Sequence, residues 1–292
     1  MKTQSIPYGN YAELNRIEMV DFYNEATEDY QFWSNDYNMH FGYFIPFKTN
    51  PFKRDSMLNE MNNQVIKRLN IGKTKNRLID LGCGMGATMR HVLKHYKNVI
   101  AYGVTLSDFQ VKKGNELLKG KNGIILKENY NNTSFQSNSF DSAIAIESFC
   151  HSGHNYNSLE EMHRLLKPGG RFVIADAFLK KDKSQLCKGS KYAYNRLCSH
   201  WSLEKLETHQ FIKKSLEDLG FKDIKVEDIS MRVAPSVLHV PFAISGFIIK
   251  KIFGFKNLKR ESLHNLKGSF YALLSGLHLK SFGYYIISAT KR

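Results

Sequence analysis

The chain runs to 292 residues, long for one minimal domain and short for two large ones, so a single core carrying an insertion or cap is expected. With 42% hydrophobic and 24% charged residues it is too apolar to be disordered. Its four cysteines, Cys83, Cys150, Cys187 and Cys198, lack CxxC spacing, which argues against a zinc site or a disulfide scaffold and fits a reducing cytoplasm.

The amino-terminal MKTQSIPYGNYAELNRIEMV lacks the apolar core of a secretory signal, and no stretch reaches the ~18 apolar residues of a membrane span. A cytoplasmic protein is therefore expected. The net charge of +15 points to nucleic acid, an anionic membrane face or an anionic substrate. Its distribution is uneven: residues 179–292 hold 21 basic and 9 acidic side chains, and Ile229 onward holds 10 basic against the single acid Glu261. By contrast, Ile17 to Phe47 contains no Lys or Arg and six acids, Glu18, Asp21, Glu25, Glu28, Asp29 and Asp36.

Short β-rich runs alternate with helical patterns through the middle of the chain, the signature of βαβ units and a parallel sheet. Arg77–Leu81 is a strand ending in glycines, followed by the helical MRHVLKHY; Asn98–Val104 is a second strand before the helix FQVKKGNELLK. Gly123–Leu126 forms a third strand and the fully apolar Ser142–Ile146 a fourth, buried on both faces. Ser158 and Glu161 read as a capping box for a helix with Leu159, Met162, Leu165 and Leu166 on one face, stopped by Pro168-Gly169-Gly170. Arg171–Ala175 is the fifth strand. Residues 179–200 lose the pattern, as a lid or cap does; helical spacing returns at Phe211, Ile212, Leu216 and Leu219, closed by Gly220. Ile224 and Val226 alternate as in a strand, and Tyr284–Ser288 is the last strand.

The sharpest motif is LIDLGCGMG, residues 78–86, an acid at a strand end followed by Gly82, Gly84 and Gly86. Alternate glycines let the backbone turn tightly and let a ligand lie against its N–H groups. With Ala87 the loop also fits a dinucleotide fingerprint, but the ribose-binding acid is missing, because no Asp or Glu occurs between Ala87 and Ser107. Another cofactor is needed.

DLGCGMG, GVTLSDFQ (103–110), FDSAIAIESFCHS (140–152) and LLKPGGRFVIAD (165–176), in this order, resemble the class I methyltransferases that use S-adenosylmethionine. More narrowly they resemble the branch of sterol C-methyltransferases, tocopherol methyltransferases and cyclopropane fatty acid synthases. The resemblance implies an α/β, Rossmann-like, seven-stranded, mostly parallel sheet with helices on both faces, plus an N-terminal helical segment and a C-terminal lid. It divides the chain into a cap at 1–70 contributing to the substrate site, a cofactor core at 71–178, and a lid insertion with completion of the sheet at 179–292. It implies that Asp80, Gly82, Gly84 and Gly86 take the methionine moiety of S-adenosyl-L-methionine. Thr105, Leu106 and Gln110 would stand by the ribose, and Asn129 and Tyr130 by the adenine. Asn129 departs from the Asp usual there; its amide oxygen still accepts a hydrogen bond, without charge assistance.

Residues 22–44 hold nine aromatics in 23 positions and resemble the aromatic-acidic amino-terminal block of the same branch. Methylating an alkene carbon leaves a carbocation, which aromatic faces and carboxylates stabilise; the same residues can equally pack a helix onto the sheet. Glu147, just past the fourth strand, and His151 are candidates to take the proton that cation loses, with Tyr23, Tyr30 and His40 also candidate catalytic residues. His91 with His95, and His151 with His154, lack a convincing third ligand, so no metal is expected. The run 237–255, apolar with Lys250 and Lys251, can lie in an anionic membrane interface, cap a greasy cavity or form a buried lid helix.

The expected function is methyl transfer to carbon of a lipid-like or isoprenoid unsaturated acceptor, a small hydrophobic substrate. The alternatives are N- or O-methylation of a small quinone, phenol or amine, and a non-catalytic cofactor-binding protein at the membrane surface. Nucleic acid is not an expected partner, because the fourth strand ends in ESFC and the aromatic segment is acidic where phosphates would need Lys and Arg. Oligomeric state is left open.

Overall fold

A computed structural model describes residues 33–152, 155–201, 203–253 and 260–292. Seven strands form one sheet: β1 (Asn76–Leu81), β2 (Val99–Thr105), β3 (Gly123–Lys127), β4 (Phe140–Ile146), β5 (Leu166–Leu179), β6 (Lys222–Asp228) and β7 (Phe282–Thr290). Their order is β3-β2-β1-β4-β5-β7-β6. All pairings from β3 to β5 are parallel, and β7 enters antiparallel between β5 and β6. The Rossmann-like sheet expected from the sequence is thus present. The continuous apolar runs have the expected cause, since β7 is buried along its whole length and β4 nearly so.

Helices cover both faces. On one, α1 (Arg54–Leu69), α2 (Ala87–His95) and α3 (Asp108–Leu118) set Met61, Val65, Val92 and Leu118 into a core with Leu78, Val173 and Ile286. On the other, α4 (Asn155–Leu165) and α5 (Lys188–His200) flank different regions: α4, with α6 (His209–Asp218), packs Leu159, Met162, Ile212 and Leu216 against Phe140 and Phe172. The remaining helices are α7 (Ser230–Val237), α8 (Val240–Phe253) and α9 (Arg260–Leu277).

Two local expectations are corrected. The capping box does not cap: α4 begins at Asn155, so Ser158 lies inside it. Ser158 Oγ instead donates to Asn131 Oδ1 at 2.6 Å, while Glu161 Oε1 takes the N–H and hydroxyl of Thr133. Both side chains fasten the loop after β3. Residues 179–200 are also more regular than their pattern suggests, since β5 continues to Leu179 and α5 fills most of the rest. Here Leu186, Tyr194 and Leu197 make a third core with Leu179 and Phe282. Helix α9 crosses this cap closely at Gly268, where a Cβ would come within 2.2 Å of the Trp201 indole.

Candidate active site

The glycine loop follows directly from β1. Gly82, Gly84 and Gly86 have φ of 79°, 53° and 70°, left-handed values that side-chain-bearing residues rarely adopt. The N–H groups of Gly82 and Cys83 both donate to Val104 C=O at 3.0 Å, tying the loop to β2. A Cβ on Gly82 would meet Ser148 Cβ at 2.4 Å, whereas one on Gly84 would meet only Met39, its Sδ at 3.0 Å. The Gly84 backbone therefore faces a cradle roofed by a single flexible side chain. Below it Asp80 is 4% exposed, and burial pushes its carboxyl up to about 7. At the end of β2, Thr105 Oγ1 donates to Gln110 Oε1 at 2.6 Å, and Gln110 Nε2 approaches Met39 Sδ at 3.8 Å. Leu106 is half-buried beside them.

The neighbouring strand end, that of β4, holds a buried carboxyl and a buried histidine. Glu147 follows β4 with φ of 47°, a left-handed backbone on a residue with a long side chain. Its Oε1 accepts the Phe41 N–H at 2.5 Å and the Tyr284 hydroxyl at 2.8 Å. Burial still outweighs both bonds, and the carboxyl is pushed up to about 8, with nearby Asp176 adding to the rise. Asp176, in β5, takes the N–H groups of Cys150 and Ala177 at 2.9 and 2.7 Å, and burial raises it to about 6. His151 closes the single turn Phe149–His151, and burial lowers its imidazole to about 4, so it is neutral near pH 7. The neutral imidazole, and the Glu147 carboxyl once it has ionised, are able to take up a proton.

Residues 79–174 match the methyltransferase domain family. The chain carries a methyltransferase domain. It is 26% identical over 219 residues to 24-methylenesterol C-methyltransferase 3 of Arabidopsis thaliana, across 73% of this chain and 59% of that enzyme. It is 28% identical over 213 residues to an S-adenosyl-L-methionine-dependent Diels-Alderase of Talaromyces variabilis, across 68% of this chain and 70% of that protein. The chain thus spans little more than half of the sterol enzyme. Among solved structures, a geranyl diphosphate methyltransferase in complex with geranyl diphosphate and sinefungin superposes with a TM-score of 0.74 at 16% identity, covering 96% of this chain and all of that one.

The other expected site residues lie as follows. Tyr130 donates its hydroxyl to Ser148 C=O at 2.6 Å, and its ring edge lies 3.5 Å from where a Cβ on Gly82 would stand, so it walls the glycine loop. Asn129 Oδ1 accepts the Asn131 N–H at 3.1 Å, which leaves the oxygen a second lone pair and shapes the turn after β3. His40 is 5% exposed and uses both ring nitrogens, Nδ1 on Phe41 C=O at 2.8 Å and Nε2 on Asn62 Oδ1 at 3.1 Å. It reaches Glu147 only through the neighbouring Phe41 backbone. Tyr23 and Tyr30 lie outside the described residues. His91 bonds Asn63, its ring lies 4.8 Å from that of His95 at a tilt of 54°, and no group of three or more metal-ligating side chains occurs among the described residues.

Three participants were missed by sequence reasoning. Tyr284 had been read only as a strand residue, and Asp176 only as the last letter of a motif. The Phe41 amide carries no side-chain signature at all. The one available signal was for Asp176, an acid ending an otherwise apolar strand at the ligand-binding edge of a parallel sheet.

Proposed function

We propose that this chain uses S-adenosyl-L-methionine to methylate carbon of a lipid-like or isoprenoid unsaturated acceptor. The observation that carries the reading is Glu147: a buried carboxyl at the ligand edge of the sheet, poised near pH 8 and held by two donors. The cofactor, when bound, supplies an electrophilic methyl group on a sulfonium. The site fits it on three counts: the cradle over Gly84, the uncompensated burial of Asp80, which suits a cationic amine, and the polar Thr105–Gln110 pair for a hydroxylated sugar. Leu106, Asn129 and Tyr130 would border the remaining rings.

An alkene that gains a methyl is left with a carbocation, which must then lose a proton. Glu147 would release its proton to solvent more readily beside the cationic cofactor; the resulting carboxylate would stabilise the developing carbocation and then take the proton that the cation loses, returning to the neutral acid. Tyr284 and the Phe41 amide fix the orientation of its carboxylate. The sterol and geranyl diphosphate methyltransferases to which the chain is similar support an isoprenoid acceptor. Peripheral contact with an anionic membrane belongs to the same reading, since no described helix is long and apolar enough to cross one.

The similarity to a Diels-Alderase favours a second reading, in which the cofactor is held and no methyl moves. Incubation with methyl-labelled S-adenosyl-L-methionine and pools of prenyl diphosphates and lipids separates the two. A labelled product one CH₂ heavier than its precursor is the expected result, and an isomerised, unlabelled product would overturn the methyl-transfer reading.

A further inference from the structure

We infer that the turn at residues 45–53 and the outer face of α7 and α8 form one docking surface for an anionic lipid membrane. Phe47 and Phe52 are 109% and 89% exposed, and Met231, Leu238 and Phe242 are 71%, 59% and 78% exposed. Met231 lies in α7, Leu238 in the turn that joins α7 to α8, and Phe242 in the first turn of α8. Large apolar side chains held in water in this number mark an interaction site.

The turn is built rather than loose. Thr49 donates its N–H and hydroxyl to Ile45 C=O, each at 3.0 Å, and accepts the Ile45 N–H at 2.7 Å. Phe52 N–H donates to Asn50 Oδ1 at 2.9 Å. Phe47 sits at φ of 62°, a conformation costly for an aromatic residue, and its ring projects into solvent. Three bonds join residues 42–51 to residues 232–239: Gly42 N–H to Ser236 Oγ at 2.8 Å, Phe44 N–H to Arg232 C=O at 2.8 Å, and His239 Nε2 to Pro51 C=O at 2.6 Å. The two apolar patches, almost 190 residues apart in sequence, therefore move as one ridge.

Charge selects the partner. Residues 45–54 contain Lys48, Lys53 and Arg54 with no acid, and 229–260 contain six basic residues with no acid. Lys48 pairs with Glu60, while Lys53 and Arg232 are exposed. Exposed aromatics on the same segments as the exposed Lys53 and Arg232 match an interface of acyl chains beneath anionic headgroups. A second copy of the chain would bring the same positive charge against this ridge, which disfavours self-association. The surface also adjoins the candidate site, because Phe44, bonded to α7, lies three residues from Phe41, whose N–H holds Glu147.

The test is flotation with vesicles of phosphatidylcholine mixed with phosphatidylserine, against vesicles of phosphatidylcholine alone, with no cofactor or acceptor, so that its outcome is independent of methyl transfer. Wild-type protein should float with the anionic vesicles and be released by salt. The F47N/F52S variant should lose about tenfold or more in partitioning, since each phenylalanine gives up its burial. Asn tolerates the left-handed backbone at 47, so the turn should keep its melting temperature. R232Q should lose roughly fivefold, and I124T, exposed on the far sheet edge at β3, should bind as wild type. Undiminished flotation of F47N/F52S, equal binding to neutral and anionic vesicles, or no binding at low salt would overturn the assignment. So would a wild-type dimer in sedimentation that F47N/F52S converts to monomer, which would make the ridge a contact between copies.

Discussion

Replacing Glu147 with Gln should make the empty protein more stable, and increasingly so as pH rises. The carboxyl is fully buried and raised from an ordinary 4.5 to about 8. Between those values the folded state holds a proton that the unfolded state has released, so stability contributed by the neutral acid is complete below pH 4.5 and is lost as pH climbs towards and through 8. A gap of 3.5 units at about 1.4 kcal/mol per unit corresponds to roughly 5 kcal/mol once the group is ionised in both states. At pH 5 the same calculation leaves about 1 kcal/mol, and at pH 7 about 3 kcal/mol. Gln is isosteric, and its carbonyl oxygen can keep the bonds from Phe41 and Tyr284; any cost of seating its NH₂ is independent of pH. The difference in unfolding free energy between E147Q and wild type should therefore widen by about 4 kcal/mol from pH 5 to pH 9, read by urea denaturation followed through tryptophan fluorescence. Asp80 and Asp176 titrate in both proteins and largely cancel. Parallel stability profiles would refute the reasoning, because they would mean that Glu147 ionises as an ordinary carboxylate. The same variant should lose turnover by ~10²-fold or more while retaining cofactor affinity, the signature of a group needed only in the transition state.

Asp80→Asn should flatten the pH dependence of S-adenosyl-L-methionine binding in calorimetry: wild-type affinity should rise as pH passes about 7 and the carboxyl ionises, whereas the variant stays weak throughout. Gly84→Val should abolish that binding, since the new side chain fills the cradle under Met39 and a β-branched residue resists a φ of 53°; unchanged affinity would remove the loop from the cofactor site. Tyr284→Phe deletes a hydroxyl that holds Glu147 down, so the acid limb of the pH–rate profile should move to higher pH, and an unmoved limb with lower turnover would leave Tyr284 a packing role only.

Much of this was legible because it depends on local chemistry. Alternate glycines after an acid and apolar runs of strand length each reflect a backbone demand that few residues meet, so the first four strands lie close to where the pattern puts them, whereas β5 runs from Leu166 to Leu179 and takes in Pro168-Gly169-Gly170, the expected helix stop. What escaped the sequence were long-range uses of short-range signals. Ser158 and Glu161 have the spacing of a capping box, but they bond Asn131 and the buried Thr133 in the loop after β3 instead. Residues 179–200 seemed patternless because α5 turns only Ala193, Tyr194, Leu197 and Ser190 inward, a stripe too mixed to show helical periodicity. At the site itself, Glu147 was legible from its place after β4, whereas its two donors come from 106 residues upstream and 137 downstream. A backbone N–H from Phe41 is available from any residue but proline, so nothing in the sequence could single it out.

The raised acids also bear on how a chain of net charge +15 could handle cations. Asp80 lies next to the end of β1, Glu147 directly after β4 and Asp176 within β5, three neighbouring strands, and burial raises all three towards neutrality. In the empty site a neutral pH keeps much of that potential charge latent, since ionising each acid without a partner is costly. A cation entering the pocket offsets that cost, and the carboxyls ionise where the positive charge appears. An anionic nucleophile such as a phenolate would find the opposite, a site that must stay protonated to admit it. The acceptor best matched to this pocket is therefore one that is neutral on arrival and cationic only during reaction, as an alkene is. Under the proposed function and docking, the surplus of Lys and Arg, concentrated after residue 178, would act at the surface, while the buried acids would carry charge only where the intermediate calls it up.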